Sequence, residues 1–406
     1  MRISRRAQAM QESPIRKLAP LAAAARQRGV HIYHLNIGQP DLPTPPEFLR
    51  AVASFADPVL AYGPSDGLPA LREAICAYFS RYGITLEPSQ VLVTNGGSEA
   101  ILFAFNVVAD DGDEIIVPEP FYTNYNGYAQ MANLRLVPVR THAEDGFHLP
   151  PDEVLERAVS PRTKALLLCS PNNPTGTVLT REELERAAQF CLRHDLFLIA
   201  DEVYKEFTYD GRVHTSVLEL PEIAKRAIVV DSISKRFSAC GARVGAIISK
   251  NREVMAACLK LGQARLCPPT LEQLGAVAAY QLGNEYFEAV RREYQRRRDV
   301  LYDKLTAAPG IVLRKPRGAF YMIVKMAGID DADAFAAWLL SDFRLDGETV
   351  MVAPASGFYA TPGAGQDEVR IAYVLEVPKL ERAAEVFLAG LEEYRSLALA
   401  AAARKK

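Results

Sequence analysis

Residues 164–201 constrain the fold more than any other stretch of the chain. Lys164-Ala165-Leu166-Leu167-Leu168-Cys169 is a short apolar run that stops at Ser170-Pro171-Asn172-Asn173-Pro174-Thr175-Gly176. A second run, Leu196-Phe197-Leu198-Ile199-Ala200, stops at Asp201-Glu202-Val203-Tyr204. Between them Thr180 and Glu183 have the spacing of a capping box and open a helix through Arg193. Short apolar runs bounded by turn residues read as buried strands. A strand, a helix and a strand in succession require two parallel strands joined by a right-handed crossover. Asn173 and Asp201 then leave the sheet at the same carboxyl-end edge, where open α/β sheets bind ligands.

The same punctuation recurs along the chain. Further strands are expected at 90–94, 114–117, 134–140, 227–231 and 244–248, and a short one within 34–37. Helices are expected at 15–28, 45–55, 68–82 and 99–109. Beyond Gly245 the pattern shifts. Residues 251–308 read as helical, with a break at Pro268-Pro269, and short strands then alternate with helices. The expected class is α/β. A large domain (46–290) carries a mostly parallel sheet sandwiched by helices. A smaller α+β domain (291–406) packs with the N-terminal segment (1–45).

Composition narrows the function classes. With 49% apolar residues, 24% charged residues and a net charge of -2, nothing points to nucleic acid or to a membrane surface. No run has bilayer-spanning length. The basic start, Met1 to Arg6, lacks the apolar stretch of a secretory signal. Six scattered cysteines, none in a C-x-x-C pair, read as reduced core residues of a cytoplasmic protein. No metal is expected, since the histidines do not cluster with them.

Four stretches carry chemistry. Lys235 lies between two expected strands. A desolvated lysine loses its proton more easily and can form a Schiff base with a carbonyl, although a loop lysine can also simply reach water. Ser232 and Ser234 before it, with Arg243 after it, suit a phosphate. Asn95-Gly96-Gly97-Ser98, between a strand and a helix, is either an anion site or a plain N-cap at Ser98. Tyr122 follows Pro118 and Pro120, and its ring can stack on a planar heterocycle or fill the core. Gly38 allows close approach of backbone to a ligand, or marks a turn.

Asn173-Pro174-Thr175-Gly176, Asp201-x-x-Tyr204, Ser232-x-Ser234-Lys235 and Arg243-x-Gly245 occur in that order. This succession resembles the class I aminotransferases, the pyridoxal-phosphate enzymes of fold type I, over essentially the whole chain. The likeness includes Gly38, Tyr62, Gly96-Gly97-Ser98, Tyr122 and Arg370. It is nearest to bacterial aspartate aminotransferases, through residues 36–41 and 353–359. The resemblance implies pyridoxal 5'-phosphate as cofactor, carried by Lys235 as an aldimine. Asp201 would meet the pyridine nitrogen, which keeps the ring an electron sink. Tyr204 and Asn173 would bond the ring's phenolic oxygen, and Tyr122 would stack on its face. Gly97, Ser98, Ser232 and Arg243 would hold the phosphate, joined by Tyr62 of a second subunit in a homodimer. Arg370 and Asn173 would fix the substrate α-carboxylate beside Gly38. The implied reaction moves an amino group between an L-amino acid and a 2-oxo acid, with the Lys235 amine as general base.

Aspartate and 2-oxoglutarate are the expected pair, which requires a cation for the distal carboxylate. Some relatives place a lysine after the Gly-Gly pair, where this chain has Ser98. Others use a partner-subunit arginine ahead of a Pro-Pro pair, for which Arg265 is the candidate, with a surface arginine as the plain alternative. Aromatic, alanine-type or broad specificity stays open, as does a C–S β-lyase of the same fold. A DNA-binding regulator is disfavoured, because only 34 residues precede Leu35.

Overall fold

The computed structural model describes residues 1–14 and 16–404. Seven strands form the main sheet, in the order Val91–Thr94, Gly245–Ile248, Ala227–Ser232, Phe197–Asp201, Thr163–Cys169, Glu114–Glu119, Arg135–Arg140. From Ala227–Ser232 to Arg135–Arg140 all neighbours are parallel. Alternate residues of each strand enter opposite cores. Leu166, Leu168, Leu198 and Val229 face one, and Ala165, Leu167, Ile199, Ile228 and Val230 face the other. Burial on both faces is why these strands read as continuous apolar runs. Helices Pro69–Ser80 and Arg181–Arg193 cover the first face, and Gly97–Val108 and Arg252–Arg265 cover the second.

One strand breaks the parallel rule. Gly245–Ile248 is antiparallel to both neighbours. It therefore enters the sheet at the edge where the others end. Gly245 pairs with Ser232 on one side and Thr94 on the other. The turn before it, carrying Arg243, is delivered to the carboxyl edge for that reason.

The capping box holds as expected. Glu183 N–H donates to Thr180 Oγ1 at 3.2 Å, and Thr180 N–H donates to a Glu183 carboxylate oxygen at 2.7 Å.

A four-stranded antiparallel sheet runs Ala353–Pro354, Glu368–Ala372, Tyr321–Met326, Ile311–Val312. Helices Ala332–Ser341 and Val377–Arg404 pack on it through Phe335, Leu339 and Phe387. Ala22 and Leu35 share that core, so the N-terminal segment packs with the C-terminal third.

The structure departs locally from the sequence-based expectations. The strand near residue 34 is His31–His34, because its parallel partner is Glu348–Met351 in a separate two-stranded sheet. Helix Asn284–Thr306 runs without interruption through 290/291. Helix Asn124–Met131 was not expected, its eight residues being too few to show a period. Among the described residues no helix is long and apolar enough to cross a membrane.

Candidate active site

The carboxyl edge of the main sheet opens into a cavity of about 460 Å³. Each side of it follows from a local rule. After Val91–Thr94 the chain turns through Gly96 at φ +77°, a left-handed conformation that glycine adopts without strain. The Arg243 guanidinium fills the space where a side chain on Gly96 would lie. Gly97 and Ser98 begin helix Gly97–Val108, so their N–H groups have no intrahelical acceptor and the positive end of the helix faces the cavity.

Gly245 closes this side. A Cβ on it would lie 2.7 Å from Gly97 N and 2.8 Å from the Asp231 carbonyl oxygen. Only glycine lets the entering strand approach the turn so closely. Arg243 itself has φ +53° and donates to the carbonyls of Cys240 at 2.9 Å and Asn95 at 3.3 Å.

Ser232 ends its strand and caps a single helical turn, Ile233–Arg236, accepting from Ser234 N–H at 3.1 Å. That turn presents Lys235. Its Nζ donates to the Gly38 carbonyl at 2.8 Å and lies 3.7 Å from Cys240 Sγ. Gly38 has a second constraint, since a Cβ there would overlap the Tyr321 hydroxyl. That hydroxyl is 2.9 Å from the Tyr204 hydroxyl.

Asp201 is the one acid lining the cavity among the described residues. Burial pushes its carboxyl up to about 6, opposed by hydrogen bonds from the Tyr125 hydroxyl (2.6 Å) and Val203 N–H (3.3 Å). A buried carboxylate with so little positive charge about it is suited to meet a cation.

Arg370 comes from the smaller antiparallel sheet. Its Nη1 donates to Asn173 Oδ1 at 3.0 Å and its Nη2 to the Asn36 carbonyl. Its Cζ lies 4.5 and 4.9 Å from the ring centroids of Tyr321 and Phe358. Its Nε is buried without a partner.

Lys235, Asp201, Tyr204, Tyr122, Gly38, Gly97, Ser98, Asn173, Ser232, Arg243 and Arg370 all line this one cavity. Two candidates do not. Tyr62 is 80% exposed on the outer surface. Arg265 is turned inward on its own subunit, where Nε lies 3.3 Å from Glu99 and Nη2 donates to the carbonyls of Val93 and Ser65 at 3.0 and 3.4 Å.

Among the lining residues that the sequence reading did not single out are Ser13, Arg16, Tyr125, Cys240 and Tyr321. Tyr125 lay in the proline-aromatic stretch, but nothing there separates it from Tyr122. Cys240, expected in the core, is half-buried at the cavity wall. Ser13 and Arg16 carry no motif.

Comparison with known proteins agrees with this geometry. The family model described as aminotransferase class I and II matches residues 30–387. An aspartate aminotransferase of Geobacillus stearothermophilus is 33% identical over 395 residues, covering 95% of this chain and 98% of that protein. An aspartate/prephenate aminotransferase of Thermus thermophilus is 34% identical, covering 95% and 97%. The solved structure of the Thermus thermophilus aspartate aminotransferase with maleate superposes with a TM-score of 0.86 at 34% identity, covering 96% of this chain and 100% of that one. A likeness that runs through both sheets and nearly the full length of each relative concerns the whole enzyme, and the chain belongs to the class I and II aminotransferases.

Proposed function

We propose that this aminotransferase uses pyridoxal 5'-phosphate to move an amino group between L-aspartate and 2-oxoglutarate. The observation that carries the proposal is the placing of Lys235, Asp201, Arg243 and the Arg370–Asn173 pair around one cavity. The residues fit the coenzyme and its substrate on three counts. The Gly96–Ser98 turn and Arg243 make a cradle for a phosphate dianion that has no room for a further side chain. Asp201 is an anion in need of a cation. The unpartnered Nε of Arg370 is a buried donor in need of an acceptor.

When bound, the coenzyme supplies a carbonyl carbon for amine capture and a ring that withdraws negative charge from the substrate Cα. The protein does the rest. Lys235 would hold the coenzyme and, as a free neutral amine, take the Cα proton. The Gly38 carbonyl, now 2.8 Å from Nζ, keeps that amine directed at the cavity. Arg370 would clamp the α-carboxylate with Asn173, which turns the Cα–H bond toward the lysine. Asp201 would bond the protonated ring nitrogen, Tyr204 and Asn173 the ring oxygen. Tyr122 would lie on the ring face, with Gly97, Ser98, Ser232 and Arg243 around the phosphate. The exposure of Tyr62 suits a contact with the phosphate of a second subunit, so the working unit would be a homodimer. The division into 46–290 and 291–406, with 1–45 packed on the latter, belongs to the same proposal. So does a cytoplasmic location.

Protein supplied with pyridoxal phosphate, aspartate and 2-oxoglutarate is expected to form oxaloacetate and glutamate in equal amounts. Release of ammonia from aspartate with no glutamate formed, or many turnovers by Lys235→Ala, would overturn the proposal.

A further inference from the structure

We infer that Arg16, on the N-terminal segment, receives the distal carboxylate of a dicarboxylate substrate, the role first expected of Arg265. The inference rests on the aminotransferase reading above. Charge matching leads to it. Four cations line the cavity among the described residues: Arg16, Lys235, Arg243 and Arg370. Arg243 belongs to the phosphate cradle, Lys235 is the reacting amine, and Arg370 sits with Asn173. A dicarboxylate brings a second carboxylate, for which none of these three is free. Arg16 is the cation left over, and it has no carboxylate partner among the described residues. Arg265 is already held by Glu99 and two carbonyls, outside the cavity.

The segment is fastened on both sides, which holds Arg16, itself solvent-exposed, at the mouth of the cavity. On the main-sheet side, Asn126 Nδ2 donates to Gln11 Oε1 at 3.1 Å, and the Met10 methyl lies beside Gly127. On the small-sheet side, Pro14 covers Gly357, where any side chain would collide with its ring. Lys17 pairs with Asp333, which also accepts from Ser356 at 2.5 Å. Residues 10–14 and 16–17 thus span from helix Asn124–Met131 to the turn at Ala355–Phe358. Phe358 is the residue whose ring lies under Arg370. One strap therefore ties the substrate-carboxylate arginine, the main sheet and Arg16 into one arrangement.

The test compares two amino donors on the pyridoxal-phosphate-loaded enzyme. Arg16→Met is expected to raise KM for aspartate and 2-oxoglutarate by roughly 10- to 100-fold, the value of a charge-assisted hydrogen bond. The KM for phenylalanine, which has no distal carboxylate, should move less than about threefold on the same reasoning. Arg16→Lys should recover part of the loss, and Arg265→Met should leave the aspartate-to-phenylalanine ratio as it is. Succinate, a dicarboxylate that cannot react, should bind the loaded wild-type enzyme and bind Arg16→Met more weakly by the same factor in calorimetry. An unchanged ratio in Arg16→Met, with aspartate turned over by the wild type, overturns the inference alone. A wild-type enzyme that accepts neither aspartate nor 2-oxoglutarate overturns the substrate reading beneath it.

Discussion

Replacing Asp201 with Asn in the coenzyme-free protein should make it more stable while destroying activity. The carboxyl is buried and its pKa rises from an ordinary 3.8 to about 6, mainly through desolvation. Below pH 4 it is protonated in folded and unfolded chains alike and contributes nothing. Between pH 4 and about 6 the unfolded chain ionises while the folded one keeps its proton, so stability falls as pH rises. Above about 6 the penalty is complete, at about 3 kcal/mol. Asn removes it, yet offers one acceptor where Asp offers two, to Tyr125 and Val203. A lost hydrogen bond costs about 1 kcal/mol. The variant should therefore gain about 2 kcal/mol at pH 8, and fall below wild type by about 1 kcal/mol near pH 4. Urea unfolding of both proteins, freed of coenzyme, at pH 4.5 and pH 8 measures the difference. A wild type that is more stable at pH 8, or a difference independent of pH, would refute the argument. Saturation with pyridoxal phosphate should reverse the order at pH 8, because the ring cation relieves the penalty in the wild type only.

Further substitutions probe the surroundings of the site and the assembly. Tyr125→Phe removes the hydroxyl that favours the Asp201 carboxylate, so the pH midpoint for coenzyme binding, followed by absorbance, should move upward. Arg236 lies buried between Asp231 at 2.6 Å and Glu206 at 2.8 Å. Arg236→Met leaves both acids without it and should cost about 3–5 kcal/mol in urea unfolding, and a loss under about 1 kcal/mol would refute this. Gly245→Ala should push the entering strand off the Gly97 turn and weaken coenzyme affinity in equilibrium dialysis, and unchanged affinity would refute the close-approach argument. Tyr62→Ala mixed with Lys235→Ala should recover activity above either parent only if Tyr62 acts across a dimer, since a hybrid then contains one intact site.

How much of this was legible depends on where the information lies. Strands such as Thr163–Cys169 and Phe197–Asp201 announce themselves because they are buried on both faces and bounded by turns. The residues at their ends, Asn173 and Asp201, are therefore placed by topology before any side chain is positioned. The antiparallel entry of Gly245–Ile248 is not written in its sequence, since a four-residue apolar run has no direction. Nor is the difference between Tyr122 and Tyr125, which depends on the turn into helix Asn124–Met131: both line the cavity, and the buried Tyr125 donates its hydroxyl to Asp201. The strap is the furthest from view. Its anchors at Gly127, Asp333 and Gly357 are more than 100 residues away, and Arg16 resembles any other basic residue of a helix approach. Arg265 shows the opposite limit, because a position ahead of two prolines says nothing about Glu99 beside it.

Gly38 makes two demands on a single α-carbon. On one side its carbonyl accepts from the Lys235 amine; on the other the absent side chain is the berth of the Tyr321 hydroxyl, and through it of Tyr204. A methyl group there would disturb acid–base machinery and ring-oxygen contacts together, from a residue with no reactive group of its own. In a saturation scan, the most intransigent position of this enzyme should be a chemically mute one.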